Sequence, residues 1–197
     1  TIAGCRTETD FVINALPTAF TVTGGGSFCS GNTGVVLGLD GSQTEINYQL
    51  YNGATPVGSA VSGTGSAISF GLQITAGTYT VVATNTSTSC TKNMTGSATV
   101  IGKPSPTTFT VTGGGSYCSG DAGVLVGLDG SQTGINYQLY NGVTPVGSAV
   151  PGTGSAISFG LQTTAGAYTV VATNTSTSCT NNMTGSATIT VNILPTA

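Results

Sequence analysis

The chain has 197 residues, of which three are Lys or Arg and six are Asp or Glu, so its net charge is −3. A chain with so few basic residues is unsuited to nucleic acid or to an anionic membrane surface, and no apolar run approaches the roughly 20 residues that cross a bilayer. Histidine and tryptophan are absent, glycine is abundant and β-branched residues dominate the periodic stretches, a composition typical of an all-β protein.

The sequence repeats with a period of 89 residues. Residues 20–99 align with residues 109–188 without a gap, and the two copies differ at 11 of 80 positions. Pro17, Pro106 and Pro195 mark successive junctions, where proline favours an extended linker. We therefore predict four segments: a terminal strand of a preceding repeat or a donor strand (1–15), repeat 1 (16–104), repeat 2 (105–193), and the start of a next repeat or a linker (194–197).

Seven strands are predicted in the first copy, and the second copy follows at +89. They span residues 18–23, 35–39, 45–51, 56–61, 66–70, 78–84 and 94–101. Asn52-Gly53 predicts a hairpin turn, and Gly24-Gly25-Gly26 predicts a bulge or a bend where the first strand changes sheets. This pattern predicts tandem immunoglobulin-like antiparallel β-sandwiches of about seven strands each.

The sixth strand of each copy carries the most regular pattern. Tyr79, Val81 and Ala83 alternate onto one face, and the stretch is repeated from Gly166 onward. Gly77-Thr-Tyr79 resembles the tyrosine corner of immunoglobulin-like sandwiches. The next cysteine lies eleven residues after the tyrosine instead of two, which argues against a disulfide between the two core strands that usually carry it.

Five cysteines at a fixed repeat phase, with no histidine, favour disulfides over zinc ligands. The predicted pairs are Cys29–Cys90 and Cys118–Cys179, each 61 residues apart. Loop closure of that length adds about 4 kcal/mol of stability, and disulfides indicate an oxidising compartment. The alternative is that these cysteines are reduced and serve as small core residues.

Cys5 is the odd cysteine. In a covalent array its partner lies in an upstream repeat, and this is the interpretation that we favour. In the alternative, the N-terminal strand completes a neighbouring molecule by β-strand addition, and Cys5 bonds across the junction.

Three stretches together resemble a known family: Thr112-Gly-Gly-Gly-Ser-Tyr-Cys-Ser-Gly120, Gln132-Thr-Gly-Ile-Asn-Tyr-Gln-Leu-Tyr-Asn-Gly142, and the Gly-x-Tyr-Thr-Val-Val-Ala-Thr-Asn strand followed by a cysteine. They are similar to the tandem immunoglobulin-like (PKD-like) repeats of large secreted and cell-surface proteins of Bacteroidetes, over residues 16–197. The resemblance implies an exported bacterial protein whose repeats form a stalk, an adhesin or a fibre. It implies no catalytic residues, and the C-terminal sorting domain of that family does not occur in this sequence.

The residues that catalysis needs do not recur between the copies. Only Asp40 and Asp129 are acids in both, whereas hydrolysis by paired carboxylates needs two acids about 5–10 Å apart. A serine nucleophile needs a base, and Lys92 becomes Asn181 in the second copy. We predict no catalytic, cofactor-binding or metal-binding residue, and we interpret Asp40 and Asp129 as turn residues instead of calcium ligands.

The hydroxyl-rich turn after the sixth strand is a candidate for O-glycosylation, because an almost uncharged β surface has few other defences against edge-to-edge aggregation. The alternative is that these hydroxyls are unmodified. The candidate residues are Thr86, Ser87, Thr88, Ser89, Thr175, Ser176, Thr177 and Ser178.

Tyr51 and Tyr140 lie on the outward register beside the Asn-Gly turns and are candidate ligand contacts. Short rows of threonine (Thr21 and Thr23, Thr108 and Thr110) leave an ice-binding or surface-binding array as a further alternative.

These features predict a non-catalytic structural protein of an extracellular filament, stalk or surface fibre, with a glycan coat. Its expected partners are copies of itself or neighbouring repeats, and surface glycans, with no nucleic acid and no membrane insertion. The expected location is extracellular or on a bacterial cell surface. The alternative function is an adhesin or carbohydrate-binding module.

Overall fold

The computed structural model describes residues 13–194, and these residues form strands and turns without any helix. The predicted segments 1–15 and 194–197 fall largely outside the described residues. The first copy contains β1 (Val22–Gly24), β2 (Gly26–Cys29), β3 (Val35–Leu39), β4 (Ile46–Asn52), β5 (Thr55–Ser62), β6 (Ile68–Gln73), β7 (Gly77–Asn85), β8 (Thr91–Asn93) and β9 (Ala98–Lys103). The second copy contains β10 (Val111–Gly113), β11 (Gly115–Cys118), β12 (Val124–Leu128), β13 (Ile135–Asn141), β14 (Thr144–Pro151), β15 (Ile157–Gln162), β16 (Gly166–Asn174), β17 (Thr180–Asn182) and β18 (Ala187–Asn192).

The described chain divides into two compact units. Unit 1 holds the residues up to Phe28 together with Asn32–Gly102, and unit 2 holds Cys29–Gly31 together with the residues from Lys103 onward. The three residues Cys29–Gly31 therefore lie in the first sequence copy but belong by their contacts to unit 2. The prediction that residues 16–104 and 105–193 form two separate repeat domains stays a prediction.

Each unit is a sandwich of two sheets. In unit 1 one sheet has the order β1-β3-β6, and the other has the order β2-β9-β7-β4-β5 with β8 beside β7. Unit 2 repeats this arrangement as β10-β12-β15 and β11-β18-β16-β13-β14, with β17 beside β16. In unit 2, β11 runs parallel to β18, and the other strand pairs are antiparallel. Two packed sheets with this strand order form an immunoglobulin-like β-sandwich, which confirms the predicted fold class.

Alternating side chains build the core of each sandwich. On β4, Ile46, Tyr48 and Leu50 are buried, as predicted, while the residues between them face outward. Tyr79 and Val81 on β7 are also buried, and a buried tyrosine needs a partner for its hydroxyl. Every buried side-chain polar atom of the described chain has such a hydrogen-bond partner. The equivalent residues of unit 2 form a second, matching core.

The first strand changes sheets at its triple glycine, which confirms the predicted bend. β1 pairs with β3, whereas β2, one residue later, pairs with β9. Gly24 has φ +90°, and a Cβ there would lie 2.1 Å from the carbonyl oxygen of Val36. Only glycine fits this close approach. The switch and the short strand β8 explain why each copy has nine strands instead of the predicted seven.

The predicted disulfide pairs Cys29–Cys90 and Cys118–Cys179 are wrong, because the two cysteines of one copy lie at opposite ends of their sandwich. Cys118 is aligned with Asn192, three residues past the Ile189 that faces Gly166 at the start of β16. Cys179 bonds through its carbonyl to Asn174 at the other end of β16. Eight residue steps along that strand span roughly 26 Å, and a disulfide needs Cα atoms within about 7 Å.

Candidate functional site

The disulfide of the described chain joins Cys29 to Cys179, with their Cα atoms 5.6 Å apart and 150 residues between them in sequence. Both cysteines belong to unit 2. Two hydrogen bonds hold the segment that carries Cys29: the Ser30 amide donates to the carbonyl oxygen of Lys103 (2.8 Å), and the Ser105 hydroxyl donates to that of Ser30 (2.7 Å). The bond therefore closes on a segment that hydrogen bonds already fix.

A tight turn presents Cys179. The Asn174 side-chain oxygen accepts hydrogen bonds from the amides of Ser176 (2.9 Å) and Thr177 (3.0 Å), and the Asn174 amide donates to the Cys179 carbonyl oxygen (2.8 Å). Ser178 has φ +60°, a left-handed conformation that serine rarely adopts. The turn thus fixes the cysteine by its own hydrogen bonds.

The turn before Cys90 in unit 1 has the same geometry. Asn85 accepts from the amides of Ser87 (2.9 Å) and Thr88 (3.0 Å), its own amide donates to the Cys90 carbonyl oxygen (2.9 Å), and Ser89 has φ +58°. Cys90 has no disulfide partner among the described residues and is half-buried. The turn is therefore formed whether or not its cysteine is oxidised.

Cys118 ends β11 and is exposed, again without a disulfide partner among residues 13–194. The amide of the next residue, Ser119, donates to the Asn192 carbonyl oxygen at 2.8 Å, as Ser30 does to Lys103. Cys118 is thus placed like Cys29 but carries a free thiol. The remaining cysteine, Cys5, lies outside the described residues.

The candidate glycosylation residues lie on these two turns, and most of them are exposed. The Thr86 hydroxyl donates to the Glu45 carbonyl oxygen (2.9 Å), and the Thr88 hydroxyl accepts from the Cys90 amide (3.4 Å). Ser87 and Ser89 are exposed, and so are their equivalents in unit 2, Ser176 and Ser178. Attachment of a sugar would therefore disturb least at Ser87, Ser89, Ser176 and Ser178.

Tyr51 and Tyr140 are half-buried on the outer face of their sheets. Tyr51 is the cross-strand neighbour of Pro56 and of Thr80, and Tyr140 has the same two neighbours in unit 2. The proline neighbour gives each ring an apolar contact along the sheet. Part of each ring stays accessible, but the structure does not bring either one together with other candidate residues.

A cleft that was not predicted from the sequence recurs beside the tyrosine corner of each unit. Its volume is about 310 Å³ in unit 1 and about 320 Å³ in unit 2. The shared lining consists of Asn52, Thr55, Val57, Gln73, Thr75 and Tyr79 and their equivalents at +89. It offers amide and hydroxyl groups but no ionisable group other than the tyrosine. No sequence pattern groups these residues, because they are distant in the chain and, apart from the tyrosine, carry no ionisable group.

The two recurring acids, Asp40 and Asp129, have a structural role because each accepts a hydrogen bond from a backbone amide. Asp40 accepts a hydrogen bond from the amide of Thr21 and Asp129 accepts one from the amide of Thr110, both at 2.8 Å. Each carboxylate thereby satisfies a backbone donor where the first strand begins. Within residues 13–194 there is no group of three His, Cys, Asp or Glu residues that could hold a metal ion.

None of the described residues forms a helix long and apolar enough to span a membrane. No protein-family model matches the chain, and no curated protein matches it either.

Solved structures of similar fold do exist. A murine CEACAM1b structure is 13% identical, with a TM-score of 0.41, covering 87% of this chain and 100% of the other. Fibronectin(III)-like modules of Clostridium thermocellum CbhA are 16% identical, with a TM-score of 0.40, covering 88% and 95%. An ICAM-5 D1-D4 ectodomain fragment is 17% identical, with a TM-score of 0.45, covering 89% of this chain and 48% of that fragment. Identities of this order concern the fold alone.

Proposed function

We propose that the chain is a non-catalytic structural protein of an extracellular filament, stalk or surface fibre, of the kind that the tandem repeats of large Bacteroidetes surface proteins form. The observation that carries the proposal is the Cys29–Cys179 disulfide. The two bonded cysteines are 150 residues apart in sequence, which is more than the 89-residue period. The bond therefore restrains the chain over more than one repeat. A disulfide also requires an oxidising compartment, which fits a location outside the cell or on its surface.

The near-identity of the two units supports the same proposal. Their cores, tyrosine corners, cysteine turns and carboxylate contacts recur at an interval of 89 residues. The side chains of the turn asparagines and of the recurring aspartates accept hydrogen bonds from backbone amides of the sandwich and are repeated with it. Such repetition is typical of arrays whose stability is a sum over repeats and their neighbours.

Immunogold electron microscopy on cells of the source organism tests the proposal. An antibody against the chain should label filaments or stalks along their length, outside the cell envelope. Label confined to the cell interior, or to structures without any extended form, would contradict it.

We propose that these fibres carry O-glycans on the serine-rich turns. The exposed hydroxyls of Ser87 and Ser89 motivate this part of the proposal. Mass spectrometry of native material should find added hexose masses on the peptide that spans residues 78–99. If only the unmodified peptide is found, the glycan coat is contradicted, whereas the proposed fibre function is not affected.

A second candidate function is carbohydrate binding by an adhesin, favoured by the recurring cleft beside the tyrosine corner. Glycan-array binding lost in the double variant Thr55→Val and Thr144→Val would place the ligand in the cleft. Loss in Tyr51→Ala with Tyr140→Ala would place it on the outer face instead. Absence of binding by the unchanged protein would contradict an adhesive function.

A further inference from the structure

The two cysteines of each repeat belong to two positional classes. The entry class, Cys29 and Cys118, ends the second strand of a copy, and the exit class, Cys90 and Cys179, follows the turn after the seventh. Because these positions lie at opposite ends of one sandwich, the entry cysteine and the exit cysteine of the same repeat are too far apart to form a disulfide. A disulfide partner for any of these four cysteines can therefore come only from a different repeat.

The bond that is formed shows which repeat supplies the partner. Cys29 comes from the first copy and Cys179 from the second, and their separation of 150 residues equals 61 within a copy plus one period of 89. In this bond, therefore, an entry cysteine is linked to the exit cysteine of the repeat that follows it.

The free cysteines share backbone hydrogen bonds with the bonded ones. At Cys118, the Ser119 amide bonds to Asn192 just as Ser30 bonds to Lys103, both at 2.8 Å. At Cys90, the cysteine amide contacts the Thr88 hydroxyl at 3.4 Å, and the Cys179 amide contacts Thr177 at 3.3 Å. Two separate observations therefore point to the same partner for each free thiol, a cysteine of the opposite class. One is the disulfide formed by the equivalent residues, and the other is the set of matching backbone hydrogen bonds.

From these observations we propose that disulfides in this protein are staggered by one repeat. Cys118 bonds the exit cysteine of a following repeat, and Cys90 bonds the entry cysteine of a preceding repeat. The partner is an immunoglobulin-like repeat of this same sequence, either further along one chain or in a second copy. This inference deepens the proposed fibre function and rests on it, since it makes every junction of the array a covalent staple.

The chemistry requires an oxidant, for which a small-molecule disulfide such as oxidised glutathione is sufficient. The Cys118 thiolate attacks one sulfur of that disulfide, forms a mixed disulfide and releases one thiol. The thiolate of the partner cysteine then attacks the Cys118 sulfur and releases the second thiol. Two protein thiols are oxidised to one disulfide, and one glutathione disulfide is reduced to two thiols.

The test uses the full chain in a Cys5→Ser background, which removes the fifth thiol. Cys90→Ser leaves only Cys118 free, Cys118→Ser leaves only Cys90 free, and the variant with both changes is the monomer control. Each protein is incubated in a glutathione redox buffer and analysed by non-reducing electrophoresis and peptide mapping. The variants keep the Cys29–Cys179 bond, so circular dichroism should show unchanged folding.

We expect the mixture of the two single variants to form a covalent dimer that contains a linked Cys118–Cys90 peptide pair. Either variant alone should remain a monomer. If one variant alone forms dimers in the same yield as the mixture, the staggered register is overturned. Mapping of Cys29–Cys90 and Cys118–Cys179 in the parent protein would overturn it as well.

The mass of native material before and after reduction separates the two sources of the partner. If reduction lowers the mass to that of short chains, separate copies are joined. If the mass is unchanged, the repeats belong to one longer chain. Both results require the entry-to-exit link. A native fibre that carries only links within single repeats would disprove the stagger yet keep the proposed function, whereas failure of immunogold labelling would disprove the function alone.

Discussion

The hydroxyl of Tyr79 donates a 2.7 Å hydrogen bond to the carbonyl oxygen of Thr75, four residues earlier in the chain. Tyr168 makes the same bond to Thr164 at 2.8 Å. The tyrosine ring is buried between the sheets, so the bond ties the turn before β7 to the core. This contact is the tyrosine corner predicted from Gly77-Thr-Tyr79.

Loss of the tyrosine corner should destabilise both units. Tyr79→Phe together with Tyr168→Phe removes each hydroxyl but keeps the ring, and we expect a loss of about 1 kcal/mol per unit. Urea unfolding followed by circular dichroism measures the change. Tyr51→Phe with Tyr140→Phe is the control, because these half-buried hydroxyls face outward, and it should change stability by less than about 0.5 kcal/mol. Equal effects of the two pairs would contradict a specific role of the corner.

The sequence predicted strand positions and the inward face of β4 and β7 because these depend on local alternation. It did not predict the disulfide, because the pairing depends on strand direction. In unit 2, Cys118 ends β11 and Cys179 follows β16; β11 runs parallel to β18, which runs antiparallel to β16. Strand ends that look equivalent in sequence are therefore at opposite ends of the sheet. The strands that carry Cys29 and Cys118, β2 and β11, were not among the predicted strands, so their direction could not be used to exclude the pairs within one copy.

The cleft beside the tyrosine corner escaped prediction for a similar reason. Its walls come from the hairpin at Asn52, the end of β6 at Gln73 and the core residue Tyr79. These residues are distant in sequence and carry no charge, so neither spacing nor composition groups them. Their proximity follows only from the packing of the two sheets.

Glu45 carries backbone strain that unit 2 avoids. Its φ is +64°, and the equivalent Gly134 has φ +76°. A left-handed conformation costs a non-glycine residue roughly 1 kcal/mol or more, part of which the greater chain entropy of glycine offsets. We expect Glu45→Gly to raise the unfolding free energy of unit 1 by about 0.5–1 kcal/mol in urea titrations.

The matched exchange checks the origin of that effect. Gly134→Glu should lower the stability of unit 2 by a similar amount, and the double variant should restore the summed stability of the parent protein. A stabilising effect of Gly134→Glu would show that the charge, and not the backbone angle, governs this position.

The sheet switch at Gly24 should tolerate no side chain. Gly24→Ala places a Cβ against the Val36 carbonyl oxygen in addition to its unfavourable φ, so we expect a loss of more than about 2 kcal/mol. Gly53→Ala is the control, because Gly53 has φ +59° but open space around it, and should cost about 1 kcal/mol. Thermal unfolding of both variants separates the clash from the conformational strain; equal shifts in Tm would argue that the clash is relieved.

Edge strands without charge need another protection from self-association, and Gln49 supplies one. Its side-chain amide donates to the carbonyl oxygens of Leu50 (2.9 Å), Val57 (3.0 Å) and Gly58 (3.3 Å), where the pairing of β4 with edge strand β5 shifts register. A bulge that is held in this way disrupts the flat edge that a second strand would need. Pro56 removes one further backbone donor from the same edge.

Replacement of this amide should open the edge. Gln49→Leu keeps the size of the side chain but leaves the bulge carbonyls without their donor, so we expect a loss of about 1–2 kcal/mol together with faster aggregation on mild heating. Light scattering measures aggregation, and Gln138→Leu should act in the same way in unit 2. Thr80→Leu is the control, since it adds an apolar side chain to the same outer face without touching the bulge. If Thr80→Leu aggregates as fast as Gln49→Leu, surface hydrophobicity accounts for the effect and the bulge does not protect the edge.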